Sequence, residues 1–122
     1  GDTGPYLQYA HARANQILRR AEAEGIAWES ITVLTEPAEQ NLALLLSRFG
    51  EVIVGVASDL QPHKLATYLY DLATAMSVFY EQCPVLKSEG EVRASRLALV
   101  AVTRKVLAKG LYLLGIEAPE SM

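Results

Sequence analysis

Apolar residues recur at helical spacing from the first positions of the chain. At about 100° per residue, Leu7, Ala10, Ala14, Ile17, Leu18 and Ala21 fall on one arc, the stripe that a helix turns toward a core. Asp2 or Thr3 can cap such a helix, and Pro5 sits in its first turn, where a missing N–H is no loss. The pattern predicts a helix to about Glu24, stopped by Gly25. Its opposite arc carries Tyr6, Tyr9, Arg13, Gln16, Arg20 and Glu24, with His11 at the edge of the apolar arc.

Residues 26–34 read as a connector with Trp28 as its anchor. Thr35 or Glu36 then caps a helix opened by Pro37, running through Leu42, Leu44, Leu45 and Leu46 to about Arg48, where Gly50 stops it. The apolar run at 51–57, EVIVGVA, fits a buried strand or a helix by periodicity alone. No partner strand is visible elsewhere, so a short helix is expected.

The spacing of Leu65, Tyr68, Leu69, Leu72, Met76 and Phe79 predicts a central core helix from Gln61 or Pro62 to Gln82, ended by Pro84. Ser88-Glu89-Gly90-Glu91 has the S-x-x-E form of a capping box and announces a last helix over 89–114. Gly115 is its expected left-handed cap, followed by apolar Ile116. In the remaining IEAPESM, Pro119 favours an extended chain. Helices with short connections imply an all-α, antiparallel helical bundle, one domain over residues 1–122.

Composition agrees with this reading and narrows the function classes. A chain of 122 residues, 51% hydrophobic and 20% charged, suits one globular domain rather than a disordered segment. A net charge of −3 argues against indiscriminate binding of nucleic acid through an evenly basic surface. It leaves room for a local basic patch, because residues 92–115 hold Arg93, Arg96, Arg104, Lys105 and Lys109 and no acid. Cys83 is the single cysteine, so an internal disulfide is excluded and a reducing setting is expected. No signal-like run opens the chain and no segment has the roughly 20 apolar residues of a membrane span. The expectation is a soluble cytoplasmic protein with no membrane contact.

Catalysis needs a nucleophile with its base, a metal cluster or paired carboxylates, and none stands at recognisable spacing. No phosphate-cradling glycine loop is present. His63 reads as a first-turn surface residue, His11 as a satisfied side chain, and Cys83 as an inert buried thiol. Six tyrosines against two phenylalanines and one tryptophan favour rings with a polar tip. Tyr70 and Tyr80 share an arc with Ala73 and Ser77, which predicts a shallow groove beside them. Such rings hold unstacked RNA bases in some proteins and only pack at helix borders in others. Arg13, Arg96 and Arg104 are the phosphate-contact candidates on the wheels, although cations near a helix C-terminus also serve the macrodipole.

Three stretches carry a family resemblance: GDTGPYLQYAHAR, then PHKLATYLYDLA with FYEQCPVL, then RASRLALVAVTRKVLAKGLYLLGIEAPESM. In that order they resemble the C-terminal, DALR-type anticodon-binding domain of arginyl-tRNA synthetases, class I enzymes, over nearly the whole chain. Only residues 27–59 are generic. The resemblance implies a helical domain that binds the anticodon stem-loop of arginine-accepting tRNA and positions it for ATP-dependent attachment of arginine. The catalytic domain, with its ATP and Mg, is implied upstream, so this part has no cofactor of its own, performs no chemistry alone and binds no DNA. The family's tyrosines match Tyr6, Tyr9 and Tyr80, and its terminal methionine matches Met122. An aromatic one turn beyond Tyr80 has no counterpart, since that position is Pro84. A second reading makes the chain an interaction element that docks on its own catalytic domain or on another protein through the same tyrosines.

Overall fold

In a computed structural model of the chain, residues 3–59 and 61–122 are described, those at 56–59 by their backbone alone. Among them are five helices and no strand: α1 (Thr3–Ala23), α2 (Pro37–Ser47), α3 (Phe49–Asp59), α4 (Pro62–Gln82) and α5 (Gly90–Leu113). The EVIVGVA run is helical, inside α3. Of the two expected caps of α1, Thr3 is its first residue and Asp2 lies outside the described residues.

Helix ends follow local chemistry. At Gly25, with φ 73°, the N–H bonds Glu22 O, and the next N–H, of Ile26, bonds Ala21 O. This paired reversal needs a left-handed residue, which glycine supplies without a Cβ clash. Gly115, also at φ 73°, repeats it: its N–H bonds Tyr112 O, and Ile116 N–H bonds Leu111 O.

Two expected signals act differently. Gly50 does not stop α2; the helix ends at Arg48, whose N–H bonds Leu45 O and Leu46 O in right-handed geometry, and Gly50 falls in the first turn of α3. A turn made without positive φ has no need of the glycine. The Ser88 capping box also does not form. Ser88 Oγ donates to Pro84 O and accepts from Arg96 Nη1 at 2.8 Å, Glu89 takes the cap position with no side-chain bond, and Gly90, at φ 57°, turns the chain into α5. A capping box exists instead at the start of α2, between Glu36 and Glu39.

Helices α1, α2, α4 and α5 alternate in direction to make the bundle. Asn15 of α1 faces Arg104 of α5 across an antiparallel pair, whereas α1 and α4 run side by side in the same direction, Tyr6 meeting Thr74 and Arg13 meeting Tyr80. The predicted stripes of α1 and α4 meet α5 in the centre: Leu7, Leu18, Leu69, Leu72, Met76 and Phe79 are fully buried, and so are Leu107 and Leu111 of α5. Ile17 is the exception in its arc, only partly covered at the α1 border. Helix α2 is tied down by Tyr68 Oη, which donates to Leu45 O at 2.6 Å, and by the Glu39 carboxylate, which accepts from Arg96 Nε at 2.8 Å. Trp28 packs on the core as the anchor of its connector. Buried Ser95 Oγ accepts from the N–H of Thr32 and of Val33 in the same connector. One hydrophobic core joins α1, α2, α4 and α5.

Residues 116–122 are extended, as Pro119 suggests, and form a strap along α1. Gln8 Nε2 donates to Glu117 O at 3.0 Å, His11 Nδ1 meets Pro119 O at 3.2 Å, and Asn15 Nδ2 donates to Glu120 O at 3.2 Å. Arg19 closes the series on the Glu120 carboxylate at 2.5 Å.

Candidate nucleic-acid interface

The seam between α1 and α4 opens into a groove because small residues line it. Ala10, Ala73 and Ser77 leave space between Tyr6, Tyr9 and Arg13 on one side and Met76 and Tyr80 on the other, about 40 Å³ in all. Arg13 and Tyr80 also border a wider recess of about 390 Å³, completed by Ile17, Arg20 and the turn at Pro84, Val85, Leu86 and Lys87. Three cations and no acid line that recess. Arg20 shares its charge with Glu24 at 3.3 Å on the exposed surface, which screens it little.

Tyr80 sits where the two spaces join. The Arg13 guanidinium carbon lies 4.5 Å from its ring centroid, inside cation–π range. Its hydroxyl is buried with no protein hydrogen-bond partner. Burial raises its pKa well above the ordinary 10 and the nearby Arg13 charge only partly offsets this, so the hydroxyl is a neutral donor at physiological pH. Tyr9 stands 54% exposed beside it. Tyr6 is held more firmly: its hydroxyl bonds Thr74 Oγ1 at 3.2 Å and its ring tilts against Tyr70 at 5.0 Å. The aromatic missing after Tyr80 is replaced by Pro84, whose ring is part of the recess wall.

Four of the residues expected from sequence, Tyr6, Tyr9, Arg13 and Tyr80, therefore share one surface. The other three do not join them. Arg96 has only 11% of its side chain exposed and is spent on Glu39, Pro84 O and Ser88. The wheel could not show that a buried carboxylate waits opposite it, and a guanidinium held this way is not offered to a phosphate. Arg104 donates to Asn15 Oδ1 at 3.0 Å on the α5 side of α1. Met122, the last residue of the strap, is 63% exposed. His63 is exposed and Cys83 buried, as expected.

Sequence patterns give no sign of Lys87, which enters the recess from the turn after α4, or of the polar series that Gln8, Asn15 and Arg19 make with His11 at positions 8, 11, 15 and 19. Those positions recur at three- and four-residue spacing on one flank of α1, but their partners are mostly backbone carbonyls of a distant segment, which leave no mark in side-chain patterns.

A family profile described as DALR anticodon binding domain matches residues 7–122. The chain belongs to that family. Over its full length the DALR domain is 66% identical to a segment of the arginine–tRNA ligase of Cutibacterium acnes and 54% identical to one of Thermobifida fusca. The solved arginyl-tRNA synthetase of Thermus thermophilus contains a segment that superposes on all of it with a TM-score of 0.90 at 44% identity. The chain spans 24%, 21% and 21% of those three proteins. The all-α architecture of the DALR domain is thus the one seen in a solved synthetase, and no described helix is long and apolar enough to cross a membrane.

Proposed function

We propose that this DALR domain grips the anticodon stem-loop of an arginine-accepting tRNA, as part of an arginine–tRNA ligase. The observation that carries the reading is Tyr80, a ring with a free hydroxyl under Arg13, set between an exposed Tyr9 and an acid-free recess flanked by Arg20 and Lys87. Loop bases splay out and stack on such rings, with guanidinium planes and phosphate contacts alongside. Each stacked base contributes about 1–3 kcal/mol. The net charge of −3 is no obstacle, since the cations that matter are gathered in one recess.

In this reading the ATP- and Mg-dependent chemistry belongs to the catalytic part of the longer protein, and the DALR domain contributes position. Holding one end of a rigid tRNA fixes where its distant acceptor end lies, which converts a search into a local encounter. Isothermal titration of the chain with two RNA hairpins tests the proposal, one bearing an arginine anticodon loop and one the same stem with a scrambled loop. Tighter binding of the arginine hairpin is expected. Equal affinities contradict anticodon reading, and no binding of either at low salt contradicts RNA binding.

A further inference from the structure

Helix α5 has an outward stripe that neither the core nor the Tyr80 groove uses. Val102, Lys105, Lys109 and Tyr112 recur along it at three- and four-residue spacing, and all four are exposed. Tyr112 is 75% exposed, more than any other large hydrophobic side chain among the described residues, with the Lys109 ammonium 5.5 Å over its ring. Lys105 and Lys109 have no ion-pair partner among the described residues, and no acid occurs on α5 after Glu91.

Cations in the second half of a helix favour its dipole and its solubility. Neither effect calls for a ring three-quarters in water, nor for Val102 and Leu113 beside it. An exposed ring capped by a cation, with a second cation one turn away, is instead what stacking and phosphate contact need.

Helix α5 adjoins the surface already described. Asn15 of α1 holds the strap through Glu120 O and accepts from Arg104 of α5, so α1, strap and α5 meet at one side chain, and Lys105 follows Arg104 directly. Around the outside of the bundle the order is therefore groove, α1, strap and α5. Glu120 within it is neutralised by Arg19.

We propose that Lys105, Lys109 and Tyr112 form a second RNA contact, which takes the sugar-phosphate backbone of a stem whose loop lies in the Tyr80 groove. This rests on the RNA-binding reading above. It is tested by filter binding of the 122-residue chain to the full arginine anticodon hairpin, and to the loop sequence alone as a linear oligonucleotide, over a range of salt. The double variant Lys105→Ala/Lys109→Ala is expected to bind the hairpin about tenfold more weakly at low salt. Its slope of log affinity against log salt should fall by about 2, one unit for each lost phosphate contact. Its affinity for the linear loop and its melting temperature should match the parent chain. If the double variant keeps the parent affinity and slope while Tyr80→Ala still weakens binding, the stripe is not an RNA contact and the groove reading stands. That pattern would leave the stripe to a protein surface. A parent chain that binds neither RNA overturns both.

Discussion

The Arg13 guanidinium lies 4.5 Å over the Tyr80 ring, and the hydroxyl of that same ring is buried without a partner. A well-made core does not retain an unsatisfied donor, because each costs about 1–3 kcal/mol. Removing the oxygen alone should therefore help the fold: Tyr80→Phe is expected to gain about 1 kcal/mol in urea unfolding. A variant that loses stability instead would mean the hydroxyl has a partner in the folded chain.

The Glu39–Arg96 pair has the opposite character. Burial alone would raise the Glu39 carboxyl, but the Arg96 hydrogen bond and the N–H groups of Glu36 and Thr35 hold it below its ordinary 4.5. Removing Arg96 leaves a fully buried charge alone, so Arg96→Ala should cost about 3–5 kcal/mol. The depressed pKa sets the sign of the pH effect. The pair's contribution is complete above 4.5 and is lost as pH falls through the lower folded value. Melting curves into the acid range should show the parent losing more than Glu39→Gln does, from a higher start. Parallel curves would contradict this.

The pair also marks where sequence reasoning reaches its end. The stripes of α1 and α4, the helical reading of 51–57 and the glycine reversals at Gly25 and Gly115 are legible because each is written in residues close along the chain. Arg96 was placed among the phosphate contacts because a wheel shows which face a side chain leaves from and not what stands opposite. Its partner Glu39 lies 57 residues away along the chain. The S-x-x-E form at Ser88 misleads because Ser88 Oγ is taken by Pro84 O and Arg96 instead of the free N–H groups of α5. The groove was half legible: Ala73 and Ser77 announced the space, whereas Lys87 reaches it only through a turn.

Gly110 shows close packing that no propensity scale anticipates. A Cβ there would lie 3.0 Å from Leu69 Cγ and closer still to both Leu69 methyls, and Leu69 is fully buried. Rotation about the Leu69 Cβ–Cγ bond cannot move Cγ, and a change of χ1 would have to be made inside the packed core. Gly110→Ala should therefore destabilise by about 1–3 kcal/mol, although alanine favours an isolated helix by about 1 kcal/mol. A stabilised variant in chemical denaturation would show that α4 and α5 separate freely here.

Burial of His11 should make the stability of the fold depend on pH. Burial lowers its pKa below 6.5, the Arg104 charge adds to this, and the bond to Pro119 O only partly opposes it. Arg19 and Glu120 neutralise each other nearby. Because the unfolded chain takes up the proton first, stability should be complete above 6.5 and fall as pH drops toward the lower folded value. His11→Gln should flatten that slope in urea midpoints measured across the range. An unchanged slope would show that another group carries it.

The central claim is that the Tyr80 groove holds an RNA loop. It is tested most directly by the affinity of the parent chain and of Tyr80→Ala for the arginine anticodon hairpin, with circular dichroism confirming that both are folded. The account predicts salt-dependent binding by the parent chain and a loss of about 1–3 kcal/mol in the variant. A folded variant that binds the hairpin as tightly as the parent would contradict it.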